Sequence, residues 1–223
     1  GKPFTWANPP SPDNPVAGGN NGDRVSSTFS FYKWVSDAEK GTAVTPTEAM
    51  RAYNSSVHAK REARQAERRA AGLDEGDGED DDLPPWHPDS PLYNTTMMAK
   101  RADGALTGPR CYWHKNQRPL VWDTFTVVST MAYHPELYTI DKMGGKDITR
   151  QSNTASLNVR SITGQTYKVT GIDVARAAGQ IMDYCTWKQR SGGGEYAWGN
   201  GNLYVTIEHT LRGESTYQEN RMN

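Results

Sequence analysis

The chain has 223 residues, of which 35% are hydrophobic and 23% charged, and its formal net charge is -1. This apolar share is low for a fully globular chain, so only part of the length is expected to build a core. The balanced charge gives no global basic field, which makes nucleic acid an unlikely partner. No apolar run reaches the ~20 residues of a membrane-spanning helix.

The first part of the chain has the composition of a leader. Residues 1–25 are rich in Pro, Asn and Gly, which interrupt helices and strands. Residues 27–35 are an apolar cluster that predicts either a short strand or a patch resting on a folded domain. The like-charge run at 74–82 repels itself and favours disorder. We therefore expect residues 1–101 to be a largely disordered leader or propeptide with an acidic run.

One helix is predicted inside this leader. Thr45 and Glu48 have the spacing of a capping box, and Pro46 suits the first helical position. Helix-forming residues then continue to about Ala71, before Gly72. This helix is polar nearly all round, so it needs a partner to be stable.

Residues 102–223 predict a folded α+β domain. β-branched and aromatic residues favour strands at 120–134, 155–162 and 165–170, with a hairpin turn at Gly164 between the last two. A helical stripe of apolar residues follows from Ile172 to Lys188, with Asp173 as its N-cap.

Gly192, Gly193 and Gly194 are interpreted as a flexible connector or helix stop. The alternating Leu203, Val205 and Ile207 predict a last strand. The order of these elements predicts a small antiparallel sheet with one helix packed on a face.

Cys111 and Cys185 are the two cysteines of the chain. A disulfide between them would close a loop of about 75 residues and contribute roughly 4 kcal/mol; the alternative is two buried free thiols of a cytosolic protein. Disulfides persist in oxidising compartments, so we expect a secreted, extracellular protein. Gly1 stands first instead of Met, as expected either after removal of a signal peptide or after trimming.

The dibasic pair Lys100-Arg101 lies where the disorder-like composition ends. Such a pair in a polar, flexible segment is typical of cleavage by a subtilisin-like proprotein convertase, whose acidic pockets bind two adjacent cations; the alternative is a solvated charge pair. Asn54 and Asn94 each begin an Asn-x-Ser/Thr sequon, the acceptor for N-glycosylation in secreted proteins. We therefore predict cleavage after Arg101 and a glycosylated leader.

This layout, a leader ending in Lys-Arg and then a compact Trp/Tyr- and Gly-rich domain with few cysteines, resembles secreted small proteins of filamentous fungi. These include effectors and killer-toxin-like proteins with α+β folds. The segment 171–185, followed by Gly192 to Gly194, is similar to the helix-then-glycine segment of several such proteins. The resemblance implies a secreted, non-enzymatic interaction protein that acts on another organism or on a host.

A secreted ribonuclease-like hydrolase is an alternative from another class. His134 and His209, with Glu136 as the carboxylate, could supply a general acid and a general base if the two histidines lie within about 7 Å of each other. Otherwise they are edge or surface histidines of a small sheet. The sequence contains no metal-ligand spacing, no Gly-x-Ser-x-Gly and no phosphate loop, so no metal or cofactor is predicted.

A carbohydrate or cell-wall binding module is the third hypothesis. Tyr196 and Trp198 lie in a glycine-rich loop or hairpin, where exposed aromatic rings can stack on sugars or anchor a protein. The alternative is a lid packed over the helix. The expected partners are therefore a host or competitor protein, or a cell-wall glycan.

Overall fold

The structure is a computed structural model, and it describes residues 29–70, 109–112, 114–134, 136–141, 148–197 and 200–210. The helices are α1 (Phe31–Glu39), α2 (Pro46–Ala70), α3 (Val121–Tyr133) and α4 (Gly171–Cys185), with a 3₁₀ turn at Lys115–Gln117. The strands are β1 (Arg110–Cys111), β2 (Leu137–Ile140), β3 (Ile148–Ser152), β4 (Ala155–Ser161), β5 (Tyr167–Thr170), β6 (Thr186–Trp187), β7 (Arg190–Ser191), β8 (Gly193–Ala197) and β9 (Asn200–His209). The predicted α+β class is confirmed.

An antiparallel sheet in the order β1-β8-β9-β4-β3 is the framework of the fold. Its central strands, β4 and β9, pair from Ala155 opposite His209 to Ser161 opposite Leu203. Alternate residues of these two strands are buried in the core beneath α3 and α4: Ala155, Leu157, Val159, Leu203, Val205 and Ile207. This period-two alternation is the pattern that predicted β4 and β9, and both predictions are confirmed.

Residues 121–133 form the helix α3, so the strand predicted at 120–134 is wrong. Its buried apolar residues recur three or four positions apart: Val121, Phe125, Val128, Met131 and Ala132. The hydroxyls of Thr124, Thr126 and Thr130 each donate to the carbonyl four residues earlier. Strand propensity describes the fit of a side chain to a pleated surface, and here the burial of one continuous helical face outweighs it.

The helix predicted from residue 172 is confirmed as α4, but its N-cap is Thr170 and not Asp173. The Thr170 hydroxyl accepts a hydrogen bond from the Asp173 N–H at 3.3 Å and donates one to the Asp173 carboxylate. This is a capping box, in which the acidic residue serves as the third helical residue. Gly164 does not join a β4–β5 hairpin, because β5 pairs with β2 while β4 pairs with β3 and β9.

The predicted disulfide is confirmed: Cys111 and Cys185 are bonded, with a Cα–Cα distance of 5.1 Å. The bond joins β1 to the last residue of α4. Gly193 and Gly194 lie in β8, so the interpretation of this glycine run as a flexible connector is wrong. A Cβ on Gly193 would lie 2.3 Å from the carbonyl oxygen of Arg110 in β1, so only glycine lets β1 approach β8 this closely.

Helix α1 and the start of α2 belong to the same core as the strands. Phe31, Trp34 and Val35 of α1 are buried, and so are Ala49, Met50 and Tyr53 of α2. The rings of Phe31 and Trp34 lie 5.2 and 4.7 Å from the ring of Phe125 in α3. Burying a side chain of this size contributes about 1.5–3 kcal/mol.

The division of the chain at residue 101 therefore does not follow the core. Residues 29–53 of the predicted leader share the core of the residues beyond 109. Over the described residues 29–35, the predicted strand is wrong and the predicted patch on the domain is confirmed. The capping box of α2 is also confirmed, since the Thr45 N–H donates to the Glu48 carboxylate at 2.9 Å. Hydrogen bonds from Thr45 lower the pKa of Glu48.

We expect the disulfide to contribute about 4 kcal/mol to the free energy of unfolding, because it closes a loop of 74 residues in the unfolded chain. Urea denaturation of the oxidised chain, compared with the Cys111→Ala/Cys185→Ala variant, measures this difference. The double variant removes the bond without creating free thiols. Equal unfolding free energies for the two proteins would contradict the expectation.

Candidate functional site

The face of the sheet opposite α3 and α4 carries polar side chains. On β4 these are Ser156, Asn158 and Arg160, which alternate with the apolar core residues and lie opposite Glu208, Thr206 and Tyr204 of β9. We call these six residues, together with Tyr112 and Thr149, the polar face. A polar second face is common in antiparallel sheets, but here Ser156, Asn158 and Thr206 are buried.

The charged groups of the polar face are paired with aromatic side chains. The Tyr112 hydroxyl donates to the Glu208 carboxylate at 3.3 Å. Burial raises the pKa of Tyr112 well above its ordinary value, and the charge of Glu208 raises it further. The Tyr112 phenol therefore keeps its proton at neutral pH and acts as a hydrogen-bond donor. The Arg160 guanidinium carbon lies 5.4 Å from the centre of the Tyr204 ring, a cation–π contact.

The amide of Asn158 is the least satisfied group of this face. Its Oδ1 accepts hydrogen bonds from the hydroxyls of Ser156 and Thr149, each at 3.2 Å. Its buried Nδ2 has no hydrogen-bond partner among the residues that the structure describes. A buried donor of this kind is costly unless something supplies an acceptor. On the polar face, Asn158 is therefore closed to solvent, whereas Arg160, Tyr204 and Glu208 are half-buried and partly accessible.

A second surface lies at the start of α3. The Trp122 side chain is 52% exposed and Leu120 is 39% exposed. The Val121 N–H donates to the Gln189 carbonyl at 3.0 Å, which brings the tip of the β6–β7 hairpin beside the helix. Lys188 and Gln189 form this tip and are exposed. We call Leu120, Trp122, Lys188 and Gln189 the Trp122 patch.

Two arginines flank the residues of the Trp122 patch in the sequence, Arg118 before Leu120 and Arg190 after Gln189. Arg190 follows the hairpin tip and donates from Nη1 to the Arg118 carbonyl at 2.9 Å. Burial, with the nearby charge of Arg190, lowers the pKa of Arg118 to about 10, so the Arg118 guanidinium remains cationic at neutral pH. The exposed Lys188 at the hairpin tip adds a positive charge to the Trp122 patch itself.

Asp123 fixes the helix end that carries Trp122. Its carboxylate accepts from the Thr154 hydroxyl at 2.6 Å, the Thr154 N–H at 3.1 Å and the Asn153 amide at 3.0 Å. Burial by itself would raise the pKa of Asp123, but these hydrogen bonds outweigh it and hold the pKa below its ordinary value. The charged carboxylate therefore joins the first turn of α3 to the β3–β4 turn by three hydrogen bonds. Trp122 lies in this hydrogen-bonded first turn.

Sequence reasoning missed Trp122 as a surface residue because it assigned a strand there. At helical spacing, Trp122 and Thr126 fall on the exposed side of α3, whereas Val121 and Phe125 fall on the buried side. The signal was therefore present in the period of the apolar residues. It could be used only after the segment had been recognised as a helix.

The structure does not bring His134 and His209 together. His134 is the C-cap of α3, and its carbonyl oxygen contacts Gly171. Glu136 lies nearby, with its carbonyl accepting from the Gly171 N–H at 3.1 Å. His209 pairs with Ala155 at the end of β9, close enough to Asp123 in the first turn of α3 to help lower the pKa of that carboxyl. The rise of α3 separates these two ends by roughly 16 Å, more than acid–base catalysis by this pair allows.

The other predicted site residues divide between described and undescribed parts of the chain. Tyr196 lies in β8 directly opposite Tyr204, so of the two predictions for this segment, a glycine-rich loop or a hairpin, the structure has antiparallel strands β8 and β9. Asn54 is exposed on α2, where the hydroxyl of Ser56 in the same sequon donates to the Tyr53 carbonyl at 2.7 Å. Outside the described residues lie Trp198, Asn94, Lys100, Arg101 and the acidic run at 74–82.

No group of three or more His, Cys, Asp or Glu side chains is placed to hold a metal ion within the described ranges. Among the same residues, no helix is both long and apolar enough to cross a membrane.

We expect Asp123→Asn to lower the free energy of unfolding at pH 7 by about 1–3 kcal/mol, because a buried charge-assisted hydrogen-bond set is weakened. The native pKa is depressed, so this stabilisation is present above the ordinary carboxyl pKa of about 4 and is lost as pH falls through the native value. Urea denaturation at pH 7 and pH 3 measures the difference. Asp37→Asn, at an exposed pair with Lys33, is the control and should change little. If the wild type and Asp123→Asn differ as much in free energy of unfolding at pH 3 as at pH 7, the charge of Asp123 does not have this stabilising role.

Comparison with known proteins gives one match. Residues 101–209 match the family model described as Domain of unknown function (DUF8794). The matched range contains all strands of the sheet, α3, α4 and both cysteines, and it leaves out α1 and α2. Neither the curated proteins nor the solved structures gave a match. Over its disulfide-closed part, the chain is similar to a domain without a defined function.

Proposed function

We propose that this chain is a secreted, non-enzymatic interaction protein, effector-like or toxin-like, that is cleaved after Lys100-Arg101 and binds a protein partner through the Trp122 patch. The half-exposed Trp122 on a helix end held by Asp123 is the observation that carries the proposal. Exposed tryptophans on rigid elements are typical anchors of protein interfaces, because their ring buries a large area at little entropic cost.

The chemistry of the patch favours one kind of partner. Trp122 and Leu120 supply apolar area, while Lys188 at the hairpin tip supplies positive charge at its edge. An apolar centre with a charged rim is the usual anatomy of a protein interface. A host or competitor protein with an apolar pocket bordered by carboxylates would be complementary to it.

The disulfide supports the secreted location. A bond between Cys111 and Cys185 persists in oxidising compartments and would be reduced in most cytosols. The dibasic pair Lys100-Arg101 and the sequon at Asn54 agree with passage through the secretory pathway.

A carbohydrate or cell-wall binding module is the second candidate, and the polar face favours it. The half-buried Arg160 offers a guanidinium, and the half-buried Glu208 offers a carboxylate. These are groups that hydrogen-bond sugar hydroxyls. Tyr196 occupies the position opposite Tyr204 in the neighbouring strand, at the edge of the same surface.

Secretion of the full chain from yeast tests the processing. We expect a polypeptide that starts at Ala102 and is two hydrogens lighter than its reduced form, because cleavage follows the dibasic pair and both cysteines are bonded. Intact mass and N-terminal sequencing measure this. Lys100→Ala/Arg101→Ala is the matched control and should remain uncut. A wild-type product still starting at Gly1 would overturn the processing, and two free thiols would overturn the disulfide and the location inferred from it.

Binding of the labelled protein to intact yeast and plant leaf cells tests the interaction. We expect saturable binding that Trp122→Ala weakens by roughly thirtyfold, the effect of losing an interface anchor of about 2 kcal/mol. Ile162→Ala removes an exposed apolar side chain of similar exposure, 49%, outside the patch and should have little effect.

Pre-treatment of the cells identifies the class of partner. Loss of binding after surface proteolysis supports a protein partner. Loss of binding after chitinase and glucanase treatment favours the carbohydrate candidate. In that case Trp122→Ala should bind as the wild type does, and Arg160→Ala should bind more weakly. Absence of saturable binding to both kinds of cell would overturn the interaction proposal.

A further inference from the structure

Helix α1 lies antiparallel across α4, and both of its ends are held by side chains of α4. Asp183 accepts hydrogen bonds from the Ser30 hydroxyl at 2.6 Å, the Phe31 N–H at 2.7 Å and the Tyr32 N–H at 3.2 Å. These N–H groups belong to the first turn of α1, which has no partners of its own for them. At the other end, Arg176 forms an ion pair with Glu39, the last residue of α1.

The two helices approach closely because α4 has a glycine at their contact. A Cβ on Gly179 would lie 3.0 Å from both the Cα and the N of Tyr32. This contact is made to the backbone of α1, which cannot rotate away as a side chain can. A glycine in the middle of a helix costs stability, so its presence at this position fits a role in seating the neighbouring helix.

Apolar contacts also hold α1 against α3 and α4. Phe31 and Trp34 pack on Phe125 of α3, and Val35 is fully buried beside them. A helix of nine residues is not stable alone in water, so α1 depends on this surface for its conformation. We call the surface formed by Phe125, Arg176, Gly179 and Asp183 the helix groove.

We propose that the helix groove is a binding site for residues 29–53 as a separate polypeptide. Cleavage after Arg101 then yields a two-chain protein in which the N-terminal fragment stays bound, and not a freed domain. This inference rests on the proposed processing. In this two-chain protein, α1 belongs to the smaller chain and binds through Phe31 and Trp34. The Asp183 carboxylate of the larger chain accepts hydrogen bonds from the first turn of α1.

The test uses the full chain with the recognition sequence of a site-specific protease inserted after Arg101, so that the cut does not depend on natural processing. After complete cleavage, we expect both fragments to elute from a gel-filtration column in one peak at the position of the uncut protein. Denaturing electrophoresis of that peak shows whether both chains are present. Serial dilution, followed by native mass spectrometry, measures the dissociation constant of the two fragments.

Gly179→Ala distinguishes docking in the groove from any other association. Alanine favours a helix over glycine, so this change would strengthen α4 if α1 were not seated against it. With α1 seated as described, the new Cβ pushes against the Tyr32 backbone, and retention of the N-terminal fragment should weaken by roughly tenfold. Asp183→Asn provides a second variant that keeps the shape and removes the charge from the cap. Lys33→Ala, at an exposed residue of α1, is the control and should leave retention unchanged.

The outcomes separate the inference from the proposed processing. Separation of the wild-type fragments on cutting, with the disulfide-closed fragment still folded by circular dichroism, would overturn the inference whatever happens during secretion. Co-elution together with tighter retention in Gly179→Ala would also overturn it. Co-elution weakened by Gly179→Ala supports the groove, even where the secreted wild-type chain proves to be uncut and the processing proposal fails.

Discussion

The rest of the structure depends on the position of α4 between two layers. One side of this helix packs on β8 and β9 of the sheet, and another side receives α1 at Gly179. Its last residue, Cys185, is bonded to β1, which in turn requires Gly193 in order to reach β8. A helix enclosed in this way cannot shift without disturbing the sheet edge, the disulfide and α1 together. The two candidate surfaces therefore rest on a framework with few independent parts.

Elements with a local signal were predictable from the sequence, and elements that depend on distant contacts were not. The alternation in β4 and β9 and the stripe of α4 are local, and they identified those elements. Helix α3 was missed because its valines and threonines suit a strand, and burial against α1 and α4 decides in favour of the helix. The glycines of β8 suggested a connector, because the carbonyl of Arg110 that requires Gly193 lies far away in the sequence. Likewise, Ser30 is a local N-cap of α1, but the Phe31 and Tyr32 N–H groups find their acceptor in Asp183, more than 150 residues later.

The same distinction applies to the candidate sites. His134, Glu136 and His209 have suitable chemistry, but residue type says nothing of distance, and α3 holds the two histidines at opposite ends. Trp122 was visible as a residue, yet its exposure follows only from the helical period of α3. The Tyr112–Glu208 pair joins two residues that lie 96 positions apart in the sequence. No local pattern marks it, because sheet register alone brings β1 and β9 onto one surface.

The Trp122 patch and the helix groove use different residues of α3, Trp122 in the patch and Phe125 in the groove, and this separates their roles. Trp122 is half exposed while α1 is seated, whereas Phe125 is 1% exposed because Phe31 and Trp34 cover it. Binding through the patch thus requires no movement of α1. Departure of α1 would instead uncover Phe125 and the flank of α4 at Gly179. A cut that leaves α1 bound preserves the contacts of the core, but it makes the two segments separate polypeptides. The proposed processing therefore permits dissociation of α1 and leaves the exposure of Trp122 unchanged.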